Sequence, residues 1–287
     1  MNDLIGIDPK APGSLRDITD LLRIFGPSEG RFIVDFPMEW QQDLREHLRT
    51  FSDLGTMVAD EVIKHRLAHA VLPTNVRFRS NMSWPENAMY LRSEVFKLVG
   101  PSGKPGNLVE PIDVVLSDPN AFPDASGAFV DRTPEAYLTA ARPILMVSRK
   151  VVLVDPFFTL KFQSDARGGW VPDRRRKVLL QFMLEAVKWR QVEAFEVFYS
   201  PSKTGRSIDA QRLDFQGVAN EIGASRIAVD VHSLDRNEAD KQHGRYLLGL
   251  RNGLHFDHGF DVANDGSKNH VEWVGSSVLR TLLEKFT

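Results

Sequence analysis

The feature that most constrains the fold is a regular alternation of apolar strand patterns and helix patterns from Ile144 to the end of the chain. It begins with the apolar run Val151-Val152-Leu153-Val154, which is typical of a strand buried on both faces of a sheet. Such alternation is characteristic of α/β folds, in which helices cover the faces of a sheet. The sequence therefore predicts an α/β unit in the C-terminal half of the chain.

The predicted elements of this half follow one another at short intervals, with apolar residues at helical spacing between the strand runs. They are a strand at 147–155, a helix at 173–190, a strand at 194–199, a helix at 207–222, a strand at 226–231 and a closing helix at 274–286. Ligands of open α/β sheets lie beyond the carboxyl ends of the strands. The residues that the pattern predicts at this rim are Asp155, Ser200 and Ser233 or Asp235.

The segment between the third of these strands and the closing helix is the richest in titratable side chains. From His243 to Asp261 it contains three histidines, two arginines and two aspartates. The dipeptide Asn252-Gly253 predicts a two-residue type I′ turn, because both central positions of that turn need a positive φ. The segment is therefore predicted to be a hairpin whose first strand spans 245–250.

His243 and Arg245 stand two positions apart at the start of this hairpin, so on a strand they would share a face and point at one ligand. A guanidinium supplies charge and fixed donors, while a neutral imidazole attacks phosphorus or moves a proton near neutral pH. The pair predicts a phosphate site. Asp155 or Asp261 is predicted to orient the imidazole.

Two further groups are candidates for ligand contacts. One is a run of four cations at the start of the helix that follows the N-cap Asp173, and it consists of Arg174, Arg175, Arg176 and Lys177. Cations at a helix N-terminus oppose the macrodipole, so an anionic partner such as nucleic acid would stabilise them. A solvated helix face with acidic neighbours is the alternative. The other group is His255 and Asp257, which the hairpin places on the polar face of its second strand, opposite Leu254 and Phe256.

Composition excludes several classes of site. The 287 residues carry a formal net charge of −2, so nucleic-acid binding would need a local basic patch. Cysteine is absent, which excludes disulfides, thiolate catalysis and cysteine-ligated zinc. His65 and His69 would share a helix face, but Arg66 stands where the zinc-protease motif has glutamate, so neither a metal nor another cofactor is predicted. With no signal sequence and no run of about 18 apolar residues, we expect a cytoplasmic protein without a membrane span.

The N-terminal half has a different pattern. Apolar residues at helical spacing predict helices within 38–70 and 84–98, and the short apolar run at 112–116 predicts a strand. Pro, Gly, Asn and Asp are frequent from 100 to 123, and a domain boundary is expected between 127 and 142. The sequence thus predicts a mainly helical α+β region of unassigned role at 1–130, followed by the α/β domain at 143–287.

The hairpin residues also carry a family resemblance. The pattern His-x-Arg, then Asn-Gly, then an apolar strand ending in Gly-Phe-Asp resembles the C-terminal domain of the MIT-domain-containing protein family and related bacterial domains. The resemblance covers about residues 143–287 and implies a phospholipase D-like fold. That superfamily uses a histidine nucleophile to cleave phosphodiesters, and His243 matches this histidine. Arg245 stands in place of the family's lysine, and Leu250 stands where its aspartate is expected.

Two functions follow from these residues. The first is a phosphodiesterase, expected to be a nuclease, with His243 as nucleophile or acid/base and Arg245 on the non-bridging oxygens. Since the chain holds one His-x-Arg element, a two-histidine mechanism would need a homodimer. The resemblance implies a bacterial setting such as phage defence. The second function is a non-catalytic module that binds a phosphate group, an acidic peptide or a protein partner, and the missing lysine and aspartate favour it.

Overall fold

The computed structural model describes most of the chain, in two compact units at Met1–Ser126 and Gly127–Thr287. The described residues are 3–26, 31–51, 57, 61, 70–74, 76–91, 95, 97–102, 109–118, 127–160, 162–164, 170–172, 174–189, 191–224, 226–242, 244–250 and 252–286. Each unit has its own main sheet, and helices stand between the strands in chain order. The protein is an α/β protein, as the sequence predicts.

The N-terminal unit is built on a five-stranded sheet in which every strand runs parallel to its neighbours, in the order β3-β2-β1-β4-β5. The strands are β1 (Asp3–Ile7), β2 (Arg31–Val34), β3 (Val71–Leu72), β4 (Lys97–Gly100) and β5 (Glu110–Pro111). The described helices of this unit are α1 (Leu15–Ile24), α2 (Trp40–Leu48), α3 (Trp84–Ala88) and α4 (Ile112–Ser117). The N-terminal unit therefore contains the predicted kind of helical segments together with a parallel sheet that the sequence pattern does not predict.

Both faces of this sheet are covered. Ile33 and Val99 pack into one apolar cluster, whereas their chain neighbours Val34 and Leu98 pack into another. Because successive residues of a strand point to opposite faces, the two clusters lie on opposite sides of the sheet. Trp40 in α2 belongs to the first cluster, and its indole N–H donates to the Ile7 carbonyl over 2.6 Å.

Two predictions for this half are wrong. The predicted strand at 112–116 is the helix α4, because Ile112 and Val115 are buried three residues apart while Val114 between them is exposed, which is helical and not strand spacing. The predicted helix at 84–98 ends at Ala88, and its last residues belong to β4. The predicted helix at 38–70 begins as α2, but most of its second half lies outside the described residues.

The C-terminal unit contains a seven-stranded mixed sheet in the order β11-β10-β7-β12-β13-β14-β6. Its strands are β6 (Gly127–Asp131), β7 (Lys150–Val154), β10 (Ala194–Tyr199), β11 (Ala228–Ser233), β12 (Arg245–Leu248), β13 (Gly253–Phe256) and β14 (Lys268–Trp273), and β8 (Phe162–Ser164) pairs with β9 (Trp170–Pro172) separately. β7, β10 and β11 are parallel, and the pairs from β7 to β12 and onward to β6 are antiparallel.

Six helices accompany this sheet among the described residues, namely α5 (Pro134–Val147), α6 (Arg175–Trp189), α7 (Pro201–Thr204), α8 (Ile208–Glu221), α9 (Arg236–Lys241) and α10 (Ser276–Phe286). The predicted elements from 147 to 286 lie within three residues of the observed β7, α6, β10, α8, β11 and α10. The sequence pattern does not predict β6, α5, α9 or β14. β6 and α5 belong to the second unit, whose first residue is Gly127.

The hairpin of β12 and β13 forms with a different turn from the predicted one. Leu248 pairs with Gly253, so the connection spans 249–252, and Gly253 is a strand residue without a positive φ. A Cβ atom on Gly253 would lie 2.9 Å from Leu248 Cδ2 and 3.1 Å from Leu279 Cδ1. This glycine therefore allows β13 to pack closely against α10, and it does not supply turn geometry.

A cluster of aromatic rings lies beneath the segment that leaves β13. Phe260 is fully buried, and its ring contacts Tyr137 of α5 and Phe182 of α6 edge-on. Phe158 and Phe256 complete the contacts, with ring centroids 5.9 and 4.7 Å from that of Phe260. The cluster therefore ties the residues on either side of Phe260 to both helices and to the strand end at β7.

Candidate anion-binding site

The candidate site lies where β7 ends and β12 begins. Asp155 follows β7 directly and is only 1% exposed. Because β12 runs antiparallel to β7, its first residue Arg245 lies at the same edge of the sheet, and the Arg245 Nε atom is 3.7 Å from Asp155 Oδ1. Asp155 is thus located at the predicted rim, and the sheet brings it beside the arginine of the predicted phosphate site.

Backbone donors fix the Asp155 carboxylate. Its Oδ1 accepts from the Phe157 N–H over 2.9 Å, and its Oδ2 accepts from the Phe260 N–H over 3.4 Å. Gly259, between the hairpin and Phe260, has a φ of 61°, and a Cβ atom there would lie 2.5 Å from both Asp155 Oδ2 and Arg245 Cδ. Only glycine suits this position, because it accepts the left-handed backbone and allows both side chains to approach.

Burial raises the pKa of Asp155 above its ordinary value, and the Phe157 N–H, Arg175 and Arg245 act in the opposite direction. The carboxyl group thus holds its proton more strongly in the folded chain than in the unfolded one. The folded state therefore binds more protons between the ordinary pKa of 3.8 and the raised value. In that range the contribution of this group to stability decreases as the pH rises, by linkage.

The variant Asp155→Asn isolates this effect, because it keeps an acceptor oxygen and removes the titration. We expect the free energy of unfolding of wild type relative to Asp155→Asn to be greatest at low pH. The difference should fall as the pH rises from 3.8 through the folded pKa. Urea unfolding of both proteins between pH 3 and pH 7 measures it. Parallel pH profiles would contradict the raised pKa.

A second carboxylate organises the other side of the site. Asp261 Oδ2 is 2.5 Å from Arg132 Nη2, and its Oδ1 is 3.4 Å from Arg175 Nη2. Its backbone carbonyl accepts from the Tyr137 hydroxyl over 2.7 Å. The loop before α5, the first turn of α6 and the segment after β13 are therefore joined at one carboxylate.

These groups surround a cavity of about 210 Å³, lined by Arg132, Asp155, Phe157, Arg175, Arg245, His258 and Asp261. Water in the liquid occupies about 30 Å³ per molecule, so the cavity has room for a phosphate-sized group. The lining has three guanidinium groups and two carboxyl groups, so with both aspartates ionised the guanidinium charges exceed the carboxylate charges by one. The cavity therefore attracts anions.

The four residues of the predicted basic cluster lie in different surroundings. Arg175 lines the cavity, whereas Arg176 binds Glu221 of α8, with 2.6 Å between Nη2 and Oε2. Arg174 is exposed and donates to the Val262 carbonyl over 3.4 Å, and Lys177 is exposed. Successive residues of a helix point about 100° apart, so the consecutive cations face different directions. The cluster divides into one cavity residue and three residues outside it.

The other predicted ligand contacts lie on a different surface. His255 Nδ1 is 3.0 Å from Glu272 Oε1 and 3.7 Å from Asp257 Oδ1, and neither His255 nor Asp257 lines the cavity. The strand faces are as predicted, with Leu254 and Phe256 buried. Asp257 still supports the site, because its backbone carbonyl accepts from Arg245 Nη1.

His243, the predicted nucleophile, lies outside the described residues, as do His65 and His69. The cavity contains three residues that sequence reasoning does not select as site residues, namely Arg132, Phe157 and His258. His258 is part of the titratable run and could have been chosen from it. Arg132 precedes the N-cap Thr133 of α5, a helix that was not predicted, so no sequence signal connects it to Asp261. Phe157 follows Asp155-Pro156, where the pattern indicates only a chain turn.

Within the described ranges, no group of three histidine, aspartate or glutamate side chains has the geometry to hold a metal ion. None of the helices that the structure describes is both long enough and apolar enough to span a membrane.

Comparison with known proteins identifies no family. No family model and no curated protein matches the sequence. Among solved structures, the chain is similar to TrmBL2, an archaeal chromatin protein whose structure is described as showing a novel mode of DNA binding. The two chains are 10% identical, the match covers 61% of this chain and 55% of that chain, and the TM-score is 0.28. A TM-score this low carries no argument about fold or function.

Proposed function

We propose that the C-terminal unit binds a phosphate ester in the cavity beside Asp155. The observation that carries this proposal is the convergence of Arg132, Arg175 and Arg245 on one cavity. A guanidinium presents planar paired donors that match two phosphate oxygens, and it remains charged at every physiological pH. Three such groups around one small cavity suit an anion with several oxygens better than a single carboxylate.

The two aspartates prepare the arginines for binding. Asp155 lies beside Arg245, and Asp261 holds Arg132 and Arg175 by direct ion pairs. Long side chains lose rotamer freedom when a ligand fixes them, at about 0.5–1.5 kcal/mol each. Here much of that loss is already incurred in the folded protein. The remaining net positive charge is then available to the ligand.

Calorimetric titration of the full chain at constant ionic strength tests the proposal. The ligands are inorganic phosphate, methyl phosphate and dimethyl phosphate. Arg175→Gln should weaken binding of each ligand by about 10-fold or more, on the scale of one charge-assisted hydrogen bond. Arg176→Gln is the matched control, because it removes the same charge from the next residue, whose ion pair is with Glu221. Equal affinities for wild type and Arg175→Gln would contradict the proposal.

Hydrolysis of the bound ester is a second proposal, favoured by the imidazole of His258, which lines the same cavity as the three arginines. Water would attack phosphorus and give up a proton to a base, while the ester P–O bond breaks and the leaving oxygen takes up a proton from an acid. The resemblance assigns the main role to His243, two residues before Arg245. Either assignment would give the chain phosphodiesterase activity.

Release of 4-nitrophenolate from bis(4-nitrophenyl) phosphate measures this activity, with and without divalent metal. We expect turnover by wild type. His243→Ala or His258→Ala should lower the turnover rate by about 100-fold or more, the usual scale for general acid–base groups. The melting temperature should change little. Phosphate binding without turnover would leave the chain as a recognition module. Turnover that survives both substitutions would show that neither histidine is catalytic.

A further inference from the structure

Phe157 is an exposed aromatic residue at the edge of a cavity otherwise lined by charged and titratable side chains. Phe157 is 42% exposed, whereas the next residue, Phe158, is fully buried in the aromatic cluster. The Phe157 N–H donates to Asp155 Oδ1, and the Arg245 guanidinium carbon lies 5.4 Å from the centre of the Phe157 ring. The ring therefore lies beside the cavity and next to the Arg245 guanidinium.

This arrangement joins two kinds of recognition in adjacent positions. A guanidinium over an aromatic face gains a cation–π contact, so Arg245 and Phe157 support each other. The exposed part of the ring offers apolar surface next to a cavity that attracts anions. Aromatic rings in such positions bind the flat faces of nucleobases, and this stacking tolerates any base.

We propose that the ligand is a nucleotide unit of a single-stranded nucleic acid, whose base stacks on Phe157 while a phosphate occupies the cavity at Arg175 and Arg245. This inference rests on the proposed phosphate site and names its ligand class. A base and its phosphate are joined through one sugar, and the ring and the guanidinium groups are correspondingly close. Bases in a duplex are already stacked and paired, so their faces are not available to a side chain.

The test uses the full chain and two short oligonucleotide probes of equal length and charge, one of oligothymidylate and one abasic. Wild type should bind oligothymidylate at least about 10-fold more tightly than the abasic probe, the lower part of the range for base–aromatic stacking. Phe157→Ala should remove this preference, because the variant has no ring on which a base can stack. Phe157→Trp should retain it.

Phe129→Ala is the matched control, because Phe129 is 70% exposed on β6 in the same unit and does not line the cavity. It should bind both probes as wild type does. Should Phe157→Ala lose its fold, as judged by its melting temperature, Phe157→Leu keeps apolar volume without a ring and should lose the preference in the same way. Adding a complementary strand to oligothymidylate should lower the affinity of the protein for this probe.

The outcomes separate the two proposals. Equal affinity for the two probes, or a preference that survives in Phe157→Ala and Phe157→Leu, would overturn the inference about the base. The phosphate site would stand in that case, provided that inorganic phosphate and the abasic probe still bind through Arg175. Failure of inorganic phosphate and both probes to bind would overturn both proposals. Equal affinity for duplex and single strand would also overturn the assignment to single strands.

Discussion

Replacing Arg245 with alanine is expected to weaken binding of inorganic phosphate by about 10- to 150-fold, which corresponds to the roughly 1.5–3 kcal/mol of a charge-assisted hydrogen bond. The substitution removes one of three guanidinium groups from the cavity. It also removes a cation whose Nε atom lies 3.7 Å from the buried carboxylate of Asp155. A carboxylate that keeps its charge without this partner would repel the ligand further. Calorimetric titration at pH 7 measures the loss.

Arg245→Lys separates the role of the guanidinium from that of the charge. An ammonium group is a point charge, and it cannot bind two ligand oxygens while it contacts Asp155, the Asp257 carbonyl and the Phe157 ring. We expect affinity for phosphate to fall by about 1–3 kcal/mol. Arg149→Lys is the matched control, since Arg149 forms an exposed ion pair with Glu193 away from the cavity. Superimposable titration curves for wild type and Arg245→Lys would contradict a ligand contact by the guanidinium.

The same variant also distinguishes recognition from catalysis. Lysine is the residue that the phospholipase D-like resemblance expects at position 245, so Arg245→Lys restores the family pattern beside His243. If the chain hydrolyses phosphodiesters, turnover should persist in this variant despite the weaker binding. If it is a recognition module, affinity should fall and no 4-nitrophenolate should be released by either protein.

The central strands of the C-terminal unit are predictable because burial on both faces produces a clear apolar pattern in the sequence. β7 is a continuous apolar run, and the limits 194–199 that the sequence predicts for β10 are the observed ones. Edge elements leave a weaker mark. β6 is the edge strand beside β14, and its Phe129 is exposed, so no clear alternation of buried and exposed residues marks it.

Short parallel strands explain why the N-terminal sheet escapes prediction. β3 and β5 have two residues each, too few for any period to be recognised. The run at 112–116 has apolar residues in nearly every position, which a strand and a helix explain equally well without knowledge of the packing. The turn predicted at Asn252-Gly253 is wrong for a related reason. A glycine that is needed for close packing cannot be distinguished in the sequence from one that is needed for a positive φ.

Half of the candidate site was predictable because the α/β topology determines where strands end. Asp155 follows from the rim rule, and Arg245 and Asp261 follow from the density of titratable groups in the hairpin. Arg132 could not be predicted as a site residue, since its ion pair with Asp261 connects residues 129 positions apart. Which residues of the basic cluster reach the cavity depends on the rotational phase of the helix. This phase places Arg175 beside Asp261 and Arg176 beside Glu221. Sequence alone fixes that phase only when the buried face is known.

Replacing Phe260 with alanine is expected to lower the free energy of unfolding by about 3–5 kcal/mol, the usual cost of truncating a buried phenylalanine. Phe260 is fully buried and contacts four aromatic rings from α5, α6, β13 and the segment after β7. A cavity among rigid rings cannot close by small movements, so the loss of packing should be large. Urea unfolding followed by circular dichroism measures it.

Phe129→Ala serves as the control here as well, because the same atoms are removed from an exposed position, and its effect should remain within about 0.5 kcal/mol. Phe260 also stands between Gly259 and Asp261, and its N–H donates to Asp155. Packing and the site are therefore coupled, and Phe260→Ala should weaken phosphate binding together with stability. A variant that loses binding but retains full stability would show that Phe260 positions the two carboxylates without supporting the core, and this would contradict the proposed coupling.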